Sequence, residues 1–138
     1  MATPATFPHA AVLARLDVGD FAGLPAEFVD TLQKREALYA LLKASEVVHR
    51  AAVSTSQVAD ALRRDQKFVR PGPPSPHLVR LRQQQAAARQ ATNQARQAFI
   101  VAADAFVRVF ALTVPARISL EVFAGQWIMA TVPRDGAT

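Results

Sequence analysis

Pro71-Gly72-Pro73-Pro74-Ser75-Pro76 decides how this chain folds. Each internal proline removes a backbone donor and clashes with the preceding helical turn, so no helix crosses the stretch. Its last two residues read as a beginning, because a serine hydroxyl caps a helix N-terminus and proline suits the first helical position. A second long helix is therefore predicted from 77 to 114, stopped by Pro115, and a first from 25 to 70, opened by Pro25 with Glu27 in its first turn. The segment 71–76 is the turn between them.

The flanking sequence carries helical spacing. Asp30 and Lys34, Glu46 and Arg50, Asp60 and Arg64, and Asp104 and Arg108 each stand four apart in the favourable acid-to-base order, which marks exposed helix faces. Between them, apolar and small residues recur every 3.5 positions: Leu38, Leu41, Ser45, Val48, Ala52, Thr55, Ala59 and Leu62 on the first arm. Leu78, Leu81, Gln85, Ala88, Thr92, Ala95, Phe99, Ala102, Phe106 and Val109 follow on the second. Folded about the proline turn, the two series pair wherever residue numbers sum to 147, so Thr55 meets Thr92, Ala52 meets Ala95 and Leu38 meets Val109. Small residues then line the middle of the seam and large ones its base. The expected fold is all-α: a long antiparallel two-helix hairpin, coiled-coil-like, about 55–65 Å long, with short N- and C-terminal segments packing at its base.

Two local signals compete with this pattern. Ser54-Thr55-Ser56-Gln57 reads as a capping box and predicts a break or kink at 54–57, whereas the heptad phase runs through it unbroken. In the tail, 116–132 fits either a helix, with Ile118, Val122, Gly125 and Met129 on one stripe and Arg117 four before Glu121, or a hairpin turning at Ala124-Gly125-Gln126. Helix is preferred, since a lone hairpin is marginal. At the other end, Pro8 opens a short helix over 8–16 and Gly19 ends it.

Composition agrees with a single helical domain of 138 residues, 51% hydrophobic and rich in alanine. The absence of cysteine removes disulfides, thiolate nucleophiles and Cys-based zinc sites, and a reducing, cytoplasmic location is the default expectation. The N-terminus lacks the charged start and apolar run of a secretory signal. Ala98 to Val114, the most apolar stretch, is interrupted by Asp104 and Arg108 and falls short of a transmembrane segment.

Catalytic patterns are missing. His9, His49 and His77 stand in no metal-ligand spacing, His49 reading as a structural residue beside the seam and His77 as a solvated one. The carboxylates are mostly committed to helix-surface partners; Asp104, paired with Arg108 in an apolar stretch, reads either as exposed or as a buried ion pair. No glycine-rich phosphate loop is present. A non-enzymatic protein without cofactor or metal is the expectation.

Charge and aromaticity are segregated. Eight of the sixteen Lys and Arg lie between 63 and 96, opposed there by Asp65 alone, whereas nine of the ten aromatic residues lie outside that window. The hairpin thus gains a basic tip of Arg63, Arg64, Lys67, Arg70, Arg80 and Arg82, suited to an anionic partner, unless the charge serves only to keep the tip solvated. Phe99, Phe106, Phe110, Phe123 and Trp127 give an apolar base larger than a two-helix seam covers, which predicts an interaction surface. The expected role is a structural or adaptor subunit, a homo-oligomer or part of a larger complex. The alternative is nucleic-acid binding through the tip, with Phe68 as the sole candidate for base stacking; lipid-surface binding through an amphipathic flank is a third.

Overall fold

A computed structural model describes residues 6–66 and 72–135. The chain is all-helical, with no strand among the described residues. Helix α1 (Ala10–Asp17) is followed by a short 3-10 turn (Ala26–Phe28) and by the long α2 (Leu32–Gln66); α3 (Pro76–Val109) and α4 (Leu120–Thr131) complete the order. Helices α2 and α3 pack closely together, while α1, the 3-10 turn and α4 meet them at one end. No helix among the described residues is long and apolar enough to cross a membrane.

Three contacts along α2 and α3 give the pairing order of a hairpin. Next to the turn, Leu62, Leu78 and Leu81 bury one another in a small cluster with Val58 and Ala61 at its edge. Midway, Thr55 Oγ1 lies 3.2 Å from Thr92 Oγ1. Far from the turn, Leu38, Leu41 and Leu42 join Phe99, Ala103 and Phe106 in the main core. Alanines at 88 and 95 are buried between these levels, so the middle of the seam is thin.

Helix α2 runs through 54–57 without a break. Inside it, Thr55 Oγ1 donates back to Ala51 O at 2.8 Å, and on α3 Thr92 Oγ1 donates back to Ala88 O at 2.8 Å. Back-bonding of this kind is compatible with continuous helix. Because each hydroxyl has one proton, the Thr55–Thr92 bond forms only when one of them leaves its carbonyl, which keeps its backbone partner regardless.

The helix boundaries depart from the sequence reading where caps outweigh prolines. The α2 start moves from 25 to Leu32: Pro25 opens only the 3-10 turn, and Thr31 caps the helix, its Oγ1 accepting from Lys34 N at 3.1 Å. That interruption turns Phe28 onto Trp127 and Phe110, with ring centroids 5.4 and 5.9 Å away. Helix α3 begins as read, Ser75 Oγ accepting from Leu78 N at 3.1 Å, but it ends at Val109 rather than 114. Ala111 has φ +52°, and Ala111 N to Arg108 O (3.3 Å) and Leu112 N to Val107 O (2.9 Å) close a Schellman motif around it. Gly19, φ +77°, does the same for α1 through bonds to Leu16 O and Arg15 O.

The tail is helix, capped by Ser119, whose Oγ accepts from Val122 N at 3.2 Å. Three paired expectations change partner or place. Asp60 binds Arg63 and not Arg64; Glu121 binds Arg96 on α3, at 3.0 and 3.1 Å, and not Arg117; and Val109 is exposed, with Ala103 instead of Ala102 in the core. The last shift follows from helix geometry. A 3.6-residue turn drifts about 20° per heptad against a 3.5-residue stripe, and at the base α1 and α4 widen the buried face enough to enclose Leu42 and Ala103.

Below the hairpin the two ends of the described chain are tied together. Asp135 Oδ1 accepts from Ala11 N at 2.9 Å, capping an α1 that has no side-chain cap of its own, and Asp135 N donates to Pro8 O at 2.6 Å. Buried His9 donates from Nδ1 to Pro133 O at 3.1 Å.

Two stability outcomes are expected in urea denaturation. Ala111→Gly relieves a left-handed conformation that costs an L-residue about 1–2 kcal/mol, and after the entropy of glycine in the unfolded chain it stabilises by about 0.5–1 kcal/mol. Phe106→Ala, at a fully enclosed site, costs about 3–5 kcal/mol and lowers the midpoint of the whole molecule, whereas Leu81→Ala accelerates amide exchange mainly in the turns nearest residues 62 and 78.

Candidate functional site

The tip is built from the last turns of α2 and the first of α3. Arg63, Arg64, Arg80 and Arg82 are all exposed there; Lys67 and Arg70 lie outside the described residues. Asp60 engages Arg63. Among the described residues no carboxylate lies within ion-pair distance of Arg64, Arg80, Arg82 or Arg89. Two shallow grooves flank the Leu62–Leu78–Leu81 cluster. One, of about 410 Å³, is lined by Ala59, Leu62, Arg63 and Gln66 of α2 and by Arg82 and Gln85 of α3. The other, of about 330 Å³, lies between Ala61, Arg64 and Asp65 of α2 and His77 of α3.

The base differs from the surface expected of its aromatic residues. Phe106 is fully enclosed and Phe99 is buried, so neither is available to a partner; Phe110, Phe123 and Trp127 are half-buried. Phe106 lies 4.4 Å from Phe110 and 4.6 Å from Trp127 by ring centroids, and Phe28 closes the group from the segment before α2. The flanking elements therefore cover more of the aromatic surface than the sequence implied. Apolar exposure persists elsewhere, at Val101 (70%) on α3, at Leu32 (67%) and at Val122 and Met129 on α4. Those α4 positions were legible in principle: Leu120–Thr131 is apolar on nearly every side, and a helix packed on one face leaves such residues in water.

A third groove, of about 490 Å³, opens at the base between α1 and α2, with Leu16, Phe21, Leu32 and Tyr39 on its walls beside Asp17, Arg35 and Glu36. Arg35 stacks over Phe21 at 4.5 Å and donates from Nε to Val29 O at 2.7 Å, which fixes the wall. Tyr39 donates its hydroxyl proton to Asp17 Oδ1 at 2.7 Å. That hydrogen bond, with partial desolvation and the nearby carboxylate charge, raises the phenol pKa above its ordinary value.

The remaining titratable residues are scattered. His77 is exposed, His49 packs beside Phe7 with its Nε2 buried and without a hydrogen-bond partner, and Asp104 pairs with Arg108 at 3.0 Å on the surface. No group of three His, Asp or Glu able to hold a metal ion occurs among the described residues.

No family model matches the chain, and neither a curated protein nor a solved structure matches it.

Tyr39 is the only tyrosine, so phenolate absorbance reports it alone. Its titration midpoint is expected above that of a free tyrosine and returns toward it in Asp17→Asn. Since the folded value is the raised one, the Tyr39–Asp17 bond supports folding below the ordinary tyrosine pKa, and this support is lost as pH rises through the folded value.

Proposed function

We propose that this chain is a non-enzymatic structural or adaptor subunit that anchors through its base and presents a basic hairpin tip to an anionic partner. The observation that carries the reading is the separation of Arg64, Arg80 and Arg82, exposed and without carboxylate partners among the described residues, from a base that gathers the aromatic side chains. By helix rise, α2 alone holds these poles about 50 Å apart. Lys67 and Arg70 add two further charges next to the turn in sequence.

The hairpin between the poles is read as antiparallel coiled-coil-like packing, with large side chains interlocking at the two ends and small ones allowing close approach between them. Self-association or docking falls to the exposed Val101, Val122 and Met129 together with half-buried Phe110, Phe123 and Trp127, since Phe99 and Phe106 are occupied within the chain. A protein partner is favoured over nucleic acid because the tip offers little aromatic surface for stacking.

The reading is tested by capture from host extract, with and without nuclease, using the wild-type chain and the Arg63→Ala/Arg64→Ala/Arg80→Ala/Arg82→Ala variant. An acidic protein retained after nuclease, released by moderate salt and lost in the variant is the expected result. Capture abolished by nuclease transfers the tip to nucleic acid, and identical capture by both chains removes the tip from the function. Light scattering reports on the base: association that rises with concentration and is reduced in Val122→Ser/Met129→Ser is expected.

A further inference from the structure

The 410 Å³ groove has an internal order that diffuse positive charge does not require. Arg63 and Gln66 stand three apart on α2, and Arg82 and Gln85 stand three apart on α3; all four line the same groove. Thr55 against Thr92 fixes the hairpin register. In that register Arg63 lies level with Gln85 and Gln66 level with Arg82, to within one residue. Each level of the groove therefore carries one guanidinium and one carboxamide, on opposite walls, and the second level repeats the first with the walls exchanged.

From this arrangement, and resting on the reading of the tip as anion-facing, we infer that the groove is a binding site for a dianionic phosphoryl group. The two levels are about 4.5 Å apart along the helices, a spacing that two long arginine side chains span easily. A guanidinium offers a planar fork of donors and a glutamine amide two more, so each wall has donors to supply to an anion held between them, Arg63 keeping one of its own on Asp60. A carboxylate has two oxygens in one plane and is satisfied by a single fork at one level. A phosphoryl group presents three acceptor oxygens in different directions and carries close to two charges above its second pKa of about 6, which matches donors on facing walls. Leu62 and Ala59 line the groove beside them and supply its apolar part. Among the described residues no carboxylate lines the groove; Asp60 neighbours it only as the partner of Arg63, and Arg82 has none.

Inorganic phosphate and pyrophosphate are the probes, titrated against the full chain by NMR at pH 8 and constant ionic strength, with acetate as the carboxylate control. Phosphate is expected to bind more tightly than acetate, with shifts concentrated on the side-chain amides of Gln66 and Gln85. Gln66→Ala/Gln85→Ala leaves net charge unchanged, and alanine is the better helix former, yet it is expected to weaken phosphate binding about tenfold, as loss of hydrogen bonds to a charged group does. Arg64→Ala/Arg80→Ala removes two charges outside this groove and is expected to weaken binding only about twofold. Gln85→Glu places a carboxylate against both arginines and is expected to abolish binding.

Wild-type phosphate binding no tighter than acetate overturns the inference. So does a glutamine double variant that binds like wild type while Arg64→Ala/Arg80→Ala and Arg63→Ala/Arg82→Ala weaken binding equally; the tip then acts as a diffuse field, and its anion-facing role survives. Indifference of every arginine variant removes both readings. The source is separated by an oligonucleotide with and without a 5′-phosphate: preference for the phosphorylated form supports a terminal dianion, and equal binding overturns it in favour of backbone phosphodiesters.

Discussion

Burial of Phe106 is the contact on which the remaining structure depends. Its ring has Phe110 on one side and Trp127 on another, while Leu38, Leu41 and Leu42 belong to the same core. These residues come from α2, α3, the segment joining α3 to α4, and α4 itself. Without a common apolar centre, a twelve-residue α4 and an eight-residue α1 are too short to persist as isolated helices. The break before α2 belongs to the same arrangement, because an uninterrupted helix from Pro25 would carry Phe28 away from Trp127.

Above that centre the molecule changes character. Glu121 of α4 holds Arg96 of α3, and the hydrogen bonds the guanidinium donates to it, with the carboxylate's charge, raise the arginine pKa above its usual value. Beyond it, among the described residues, α2 and α3 pack on each other. Alanine and threonine bring their backbones close but bury little area per residue, and the leucines at 62, 78 and 81 close the far end as a separate cluster. The hairpin is thus secured at two ends with a lightly packed span between, a division that lets the tip open locally while the base stays folded.

The reversal, the seam and its register were legible because proline chemistry and residue spacing are local and periodic. Thr55 meeting Thr92 was available from arithmetic alone. What escaped was either a local stop or start carried by an untypical residue or a contact across the molecule. Ala111 terminates α3 in a conformation for which glycine is the usual signal, so the eye passes on to Pro115. Thr31 lacks the acidic partner of a capping box, having Lys34 three residues later, and gave no cue to displace Pro25. Phe99 and Phe106 looked surplus because the coverage supplied by Phe28 and α4 depends on how the flanks fold back. At the tip, the arginines stood out by charge and Gln85 only as a polar member of the seam series, whereas Gln66 gave no signal until the two helices were laid side by side: an uncharged residue on a polar helix carries no mark of its neighbour on another.

The junction of Pro8, His9 and Ala11 with Pro133 and Asp135 has a topological consequence. Backbone atoms of Pro8 and Asp135 are within hydrogen-bonding distance, so the path from Thr6 to Asp135 is almost a closed loop, drawn out into a double strand of helix on one side. Opening such a loop between α2 and α3 and joining it at the junction would cut through none of the four helices while reversing which arm is made first. The order of synthesis is therefore separable from the architecture: the same object can be wound from either pole.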